Sequence, residues 1–211
     1  MGLINLIAGL LPNIKSYSDW GGKLSRQERK QLVKRNKELS APLHIIYQNN
    51  THIGNLLTAT IKVLRDDYAT EKTSAGYAEI NNGQCSSFAW DTLNLVCQIT
   101  NKYDPQISVV STEDFVLDQD RESEYEIKWD ENLLTSKSIS PSNGLTWKQL
   151  NSIHFGYHVW LEFGGKYYDA ECPEGVENFF ELPLFQVYIK TYLEEQNKTG
   201  HMNIFDQWNA K

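Results

Sequence analysis

The stretch that most constrains the fold is GYHVWLEFGGKYYDAE, residues 156–171, in which two runs of alternating side chains flank Gly164-Gly165. A two-residue Gly-Gly connection between such runs is typical of a β-hairpin. Because a tight turn fixes the strand register, the sequence predicts which residues lie opposite one another. These pairs are Phe163 with Lys166, Trp160 with Asp169, and His158 with Glu171.

The predicted hairpin has two unlike faces, because successive side chains of a strand point to opposite sides. One face is apolar and suits a core: Val159, Leu161, Phe163, Tyr168 and Ala170. The other face carries the polar groups: His158, Trp160, Glu162, Tyr167, Asp169 and Glu171. His158 has Glu171 opposite and Asp169 on a diagonal, at roughly 7–8 Å between backbones. The hairpin therefore predicts a histidine beside a carboxylate and leaves both carboxylates open.

Composition limits the class of protein. The 211 residues include 6 Trp, 11 Tyr and 8 Phe, which is ample core material and excludes a disordered chain. Its 3 cysteines, Cys85, Cys97 and Cys172, are too few and too widely spaced for a disulfide scaffold, so we expect free thiols in a reducing compartment. The formal net charge of -7 argues against a general nucleic-acid binder.

The N-terminal segment contains an apolar stretch that could serve as a membrane span or a secretion signal. The apolar stretch Leu3–Leu11 is much shorter than the roughly 20 residues that span a bilayer, and no Lys or Arg precedes it. We expect a docked helix there and a cytoplasmic protein without a transmembrane segment.

Residues 23–38 carry 7 basic and 2 acidic side chains, so this run is +5 and the rest of the chain is -12. Ser25 and Glu28 have capping-box spacing, which predicts a helix with a solvated basic face rather than a phosphate-binding one.

Periodicity outlines the remaining elements. Helices are predicted over 53–69, from Cys85 onward, briefly after a Thr146/Gln149 cap, and over Pro183–Glu195. Strand-like pieces cover 107–111, 115–117 and 125–129, and 130–144 resembles a polar surface loop. Because helices precede antiparallel strands, the fold class is α+β. We expect a helical N-terminal region over 1–69 packed on a core over 70–195, with a polar tail over 196–211.

Cys85 is the candidate nucleophile. It follows the turn residues Asn81-Asn82-Gly83 at a predicted helix N-terminus, where free amide groups and the helix dipole stabilise a thiolate. The same amides could stabilise an oxyanion during acyl transfer. Cys97 lies in mid-helix and is expected to be a core thiol, whereas Cys172 lies beyond the hairpin as a bystander.

NGQCSSFAWDTL followed by HVWLEFGGKYYDAE resembles the transglutaminase-like branch of the papain-like cysteine enzymes, over about residues 76–171. The resemblance implies a papain-like core and no cofactor. It implies Cys85 as nucleophile, His158 as general base and acid, and Asp169, rather than Glu171, as the residue that orients the imidazole. The family's oxyanion Gln precedes its Cys by several residues, whereas Gln84 is adjacent, so Gln84 is either an oxyanion donor or a turn cap. Trp160 either lines the active site or covers the face of the hairpin.

The expected function is therefore a thiol-dependent hydrolase or acyltransferase acting on an amide or ester of a protein or peptide: a peptidase, a deamidase or a transglutaminase. One alternative is a catalytically inactive papain-like binding module, with the basic helix and Trp160 as its contact surface. The other alternative is a metal site, whose candidate ligands are His154, His158, Asp169, Glu171 and Cys172.

Overall fold

The structure is a computed structural model that describes residues 26–102, 105–117 and 127–199. Two 3-10 turns, Thr112–Phe115 and Phe179–Glu181, accompany the helices and strands. In chain order these are α1 (Arg26–Asn49), α2 (Ile53–Tyr68), α3 (Ser74–Asn81), α4 (Cys85–Thr100), β1 (Ser108–Ser111), α5 (Glu131–Ser136), α6 (Trp147–Leu150), β2 (Val159–Phe163), β3 (Lys166–Tyr168) and α7 (Pro183–Thr199).

The strands form a three-stranded antiparallel sheet in the order β1-β2-β3. The β2–β3 hairpin turns at Gly164-Gly165, both of which have positive φ, as a tight turn of this kind requires. Phe163 pairs with Lys166, and Leu161 pairs with Tyr168, so the predicted register is confirmed. Together with the helical N-terminal part, this sheet confirms the α+β class.

Both faces of the sheet are buried, which the sequence predicted for one face alone. The predicted core face packs against α1, α2 and α4, with Val159 and Leu161 buried against Leu57 and Ile61. The opposite face is covered by a second cluster. Its members are largely aromatic and include Phe115, Trp129, Phe155, Trp160, Tyr167, Phe179, Phe180 and Phe185. A strand that is covered on both sides holds its polar side chains in a rigid, dry setting.

The N-terminal helices explain where the basic run lies. α2 matches the predicted 53–69 helix and buries Leu56, Leu57, Ile61 and Leu64. α1 begins at Arg26, so its predicted cap, Ser25, lies outside the described residues. Lys30, Lys34 and Lys37 are exposed, which agrees with a solvated basic face. Because Leu43 of α1 is buried in the same cluster as β2, this helix packs on the sheet's own core.

Several other predictions need correction. The 130–144 stretch contains α5, capped by the Asp130 side chain, and buries Leu134 and Ile139, so it is not simply a polar loop. The 115–117 and 125–129 strands reduce to a single bridge between Val116 and Trp129. Residues 118–126 lie outside the described part. α3 was not predicted, because its few apolar positions set no clear helical period.

The predictions for the last two helices and for the two ends of the chain are confirmed in part. The Thr146/Gln149 capping box starts α6 as predicted. α7 begins at Pro183 and extends past the predicted end to Thr199. The apolar Leu3–Leu11 stretch and residues 200–211 of the predicted tail lie outside the described residues. Among the helices that the structure describes, none is both long and apolar enough to cross a membrane.

A buried carboxyl links α4 to the N-terminal helices. Asp91 of α4 is 4% exposed and accepts a 2.5 Å hydrogen bond from the Tyr68 hydroxyl. Arg35 of α1 lies over the Tyr68 ring and donates to Asp67 through Nε at 2.6 Å. Burial raises the pKa of Asp91 to about 6, although Tyr68 and Arg35 both favour its charged form.

We predict that Asp91→Asn stabilises the protein at neutral pH. The folded pKa of about 6 exceeds the ordinary value of 3.8, so stability falls as pH rises between these values. Removing the charge should therefore add about 1 to 3 kcal/mol to the free energy of unfolding above pH 7, and nothing near pH 3. Urea titrations at both pH values measure the difference, and an equal effect at both would contradict the account.

Candidate active site

Cys85 is the first residue of α4 and lies between that helix and the sheet. Cys85 is 7% exposed and belongs to the buried cluster that contains Val159 and Leu161. The preceding residue, Gln84, is the N-cap, and its side chain makes no capping hydrogen bond. All three cysteines are free. Cys85 is thus the thiol that the chain places at a helix N-terminus, as the sequence predicted.

His158 comes directly before β2 and is completely buried. Thr112 holds its backbone on both sides. The His158 N–H donates to the Thr112 hydroxyl at 2.8 Å, and the His158 carbonyl accepts from the Thr112 hydroxyl at 3.1 Å and from the Thr112 N–H at 3.0 Å. Three hydrogen bonds between two residues leave this histidine little freedom of backbone position.

Asp169 follows β3 and meets the imidazole. The His158 Nε2 lies 3.2 Å from Asp169 Oδ2, with both side chains almost fully buried. The other oxygen, Oδ1, accepts from the backbone N–H groups of Glu171 at 2.9 Å and Cys172 at 2.8 Å. The carboxylate is therefore held at both oxygens, one by the backbone and one by the histidine.

Glu171 has a different partner. Its Oε2 accepts a 2.8 Å hydrogen bond from Asn81 Nδ2. Asn81 is the last residue of α3, four residues before Cys85, so this bond ties the loop that leads to the thiol to the segment that follows Asp169. The hairpin left both carboxylates open, and the structure places Asp169 rather than Glu171 on the ring of His158.

The electrostatics of Cys85 favour its thiolate. Burial opposes the charge, but the proximity of His158 and its positive charge outweigh burial. The backbone N–H groups of Val159 and Ser86 add to this effect, so the net result is a lowered pKa. In contrast, burial together with the charges of Asp169 and Glu171 raises the pKa of Cys172 to about 12. The described cysteines thus differ in reactivity through their surroundings.

His158 is shifted in the complementary direction. Burial disfavours its charged form, yet the hydrogen bond to Asp169, the proximity of Cys85 and the charges of both raise its pKa to about 9. Since Nε2 is occupied by Asp169, Nδ1 is the ring nitrogen that remains available, and it makes no hydrogen bond with any of the described residues. A lowered thiol pKa beside a raised imidazole pKa favours a thiolate–imidazolium pair at neutral pH.

The two other predicted site residues do not share this arrangement. Trp160 is completely buried and stacks with Phe115 and Phe179, so it supports the sheet and does not wall an open site. Of the two roles that the sequence left open for Trp160, its buried packing favours shielding of the hairpin over substrate binding. Gln84 is exposed beside the thiol and does not cap the turn, so an oxyanion role for it stays a prediction.

The metal alternative gains no support from geometry. Within the described ranges, no three His, Cys, Asp or Glu side chains are grouped so that they could hold a metal ion. His154 is exposed and lines a groove instead of joining His158 and Asp169.

Sequence reasoning missed Thr112. It lies just after β1, in a part of the chain that was assigned no role, and its contact with His158 spans 46 residues. No local pattern marks such a contact, because it depends on how β1 pairs with β2.

No protein-family model, curated protein or solved structure matches this chain. The interpretation of the site therefore depends on the geometry described above.

We predict that Asp169→Asn slows alkylation of Cys85 by iodoacetamide at neutral pH about tenfold or more. The NH2 group of the new Asn replaces one carboxylate oxygen, and it must face either the His158 Nε2 or two backbone N–H groups, all of which need an acceptor. Because the negative charge is also lost, the pKa of His158 falls and that of Cys85 rises. The matched control is Glu171→Gln, which keeps an acceptor for Asn81 and should change the rate less. Peptide mapping after labelling measures both, and the reverse ranking would contradict the assignment of Asp169.

We predict that Thr112→Val destabilises the protein by about 1 to 3 kcal/mol, since the buried His158 N–H loses its acceptor. Thr112→Ser keeps the hydroxyl and should retain most of the stability and the Cys85 labelling rate. A loss in Thr112→Ser that equals or exceeds the loss in Thr112→Val would contradict the role given to the hydroxyl. Chemical denaturation and alkylation kinetics separate these outcomes.

Proposed function

We propose that this protein is a thiol-dependent hydrolase or acyltransferase with a papain-like core, in which Cys85 is the nucleophile. The observation that supports it best is that one buried imidazole, His158, interacts with Cys85 and, through Nε2, with Asp169 at 3.2 Å. A nucleophile, a base and a residue that orients the base are the arrangement that covalent acyl transfer needs. Buried aromatic packing around the sheet would keep this arrangement rigid.

The first step would be attack of the Cys85 thiolate on the carbonyl carbon of an amide or ester. A C–S bond forms, and the carbonyl oxygen becomes an oxyanion near the N-terminus of α4, where amide N–H groups and the helix dipole favour negative charge. The imidazolium of His158 then gives its proton to the leaving group as the C–N or C–O bond breaks, leaving a thioester on Cys85.

The second step would release the acyl group. Neutral His158 takes a proton from water or from an amine as that molecule attacks the thioester carbon. The C–S bond then breaks, and Cys85 leaves as the thiolate, which restores the starting pair. Asp169 would hold the ring orientation and stabilise the imidazolium in both steps without itself becoming protonated. Water as acceptor gives a peptidase or deamidase, and an amine gives a transglutaminase.

A test that needs no knowledge of the natural substrate uses p-nitrophenyl acetate as a generic acyl donor. We expect one acetyl group on Cys85 by intact mass and peptide mapping, formed at a rate that rises as pH passes through the lowered pKa of the thiol. Cys85→Ala should abolish acetylation and shift the melting temperature by only a few degrees. The matched control Cys97→Ala should still form the acetyl-enzyme.

Acetylation of Cys85 only above the ordinary thiol pKa of 9.0 would contradict the proposal, since the thiol would then lack activation by His158. Equal and slow acetylation of Cys85, Cys97 and Cys172 would favour an inactive module with the same core.

A further inference from the structure

A groove of about 610 Å³ opens beside the catalytic residues. Its lining comes from the 3-10 turn after β1, from the segment that leads into β2 and from α7. The residues that matter here are Thr112, Glu113, Ile127, Tyr157 and Tyr188. A volume of this size accommodates a side chain and part of a peptide backbone.

The groove adjoins the segment that carries His158, and the buried side chains of Cys85 and His158 do not line it. Tyr157 is the residue before His158, is 53% exposed, and has its pKa raised by burial and by the nearby charges of Glu113 and Cys85. Thr112, which also lines the groove, is the residue that holds the His158 backbone. A ligand in the groove would therefore lie against the two residues that flank and hold His158, Tyr157 and Thr112.

One carboxylate gives the groove its charge. Glu113 is exposed, lines the groove, and forms no ion pair or side-chain hydrogen bond among the described residues. The adjacent Asp114 is already occupied, because its Oδ2 accepts from the N–H of Ser111 at 2.6 Å and from the Ser111 hydroxyl at 3.0 Å. Glu113 is thus the acidic group in the groove that remains available to a ligand.

The net charge of the chain has the same sign. The chain as a whole carries −7. A cationic ligand would be attracted to a protein of this charge and an anionic one repelled.

The walls suit the stem of a long basic side chain. Tyr157 and Tyr188 offer aromatic surface, which attracts cations through the ring faces and packs against methylene groups. A purely apolar side chain would use these walls but leave Glu113 unpaired.

Resting on the function proposed above, we propose that this groove is a specificity subsite that binds a Lys or Arg side chain of a peptide substrate, next to the carbonyl that Cys85 attacks. Glu113 pairs with the basic group, while Tyr157 and Tyr188 cover its aliphatic stem.

The test uses blocked dipeptide acyloxymethyl ketones that alkylate active-site thiols. Two sets of probes are compared, and each set has a Lys, a norleucine and a Glu member. In the first set this varied residue carries the reactive ketone, and in the second set it is the neighbouring residue. Each rate of Cys85 modification is divided by the iodoacetamide rate of the same protein, which removes differences in thiol reactivity. We expect the Lys probe of one set to react about three- to tenfold faster than its norleucine counterpart, and the Glu probe to be slowest.

Glu113→Gln should reduce the preference for Lys to near unity, and Glu113→Lys should reverse it in favour of the Glu probe. Glu181→Gln removes an exposed carboxylate that does not line the groove and should leave the preference intact. The preference in wild type should also weaken as salt is added, because exposed charges are screened.

The outcomes separate this inference from the function on which it rests. If iodoacetamide modifies Cys85 rapidly but the Lys, norleucine and Glu probes react equally in both sets, the subsite is wrong and the thiol mechanism stands. If Cys85 reacts no faster with iodoacetamide than Cys97 does, the proposed function itself fails. A preference for Lys that Glu113→Gln leaves unchanged would place the basic side chain elsewhere.

Discussion

The site depends on one buried histidine that interacts with a thiol and with a carboxylate. His158 is completely buried, and its Nε2 lies 3.2 Å from Asp169. Burying an imidazole without partners would favour the neutral ring and lower its pKa. Here the partners outweigh burial and raise the pKa to about 9, while the same interaction lowers the pKa of Cys85. The charge of each member of the pair favours that of the other, and Asp169 adds to the effect on His158.

The surrounding structure holds Cys85, His158 and Asp169 in their positions. α4 brings the thiol to the sheet, Thr112 holds the histidine backbone, and two backbone N–H groups hold Asp169. Aromatic residues cover the opposite face, where Trp160 stacks against both Phe115 and Phe179. A pair of this kind needs rigid support, because an imidazolium that loses its carboxylate in a dry interior is strongly destabilised.

Much of the site could be predicted from the sequence because its signals are local. The Gly164-Gly165 turn set a register that the structure reproduces, and the turn before Cys85 indicated a helix start. The hairpin alone left Asp169 and Glu171 open, and the family resemblance implied Asp169. In the structure Asp169 contacts His158, whereas Glu171 accepts a bond from Asn81, 90 positions away. The sequence left two roles open for Trp160, and the choice depends on a second aromatic cluster that covers its strand face.

The groove and the short elements escaped prediction for a similar reason. Residues 130–144 look polar, yet Leu134 and Ile139 are buried because distant aromatic residues provide a surface for them. Glu113 and Tyr157 belong to segments 44 residues apart (157 − 113), and they meet because β1 pairs with β2. Contacts of this kind follow from strand pairing and leave no periodic pattern in the sequence.

The most direct test of the central claim is the titration of His158 by NMR of its labelled imidazole, in wild type and in Cys85→Ala. The thiolate and Asp169 together hold the ring protonated, so the pKa should be about 9 in wild type and should fall clearly when the thiol is removed. A wild-type pKa near the ordinary 6.5 that does not change in Cys85→Ala would contradict the thiolate–imidazolium pair.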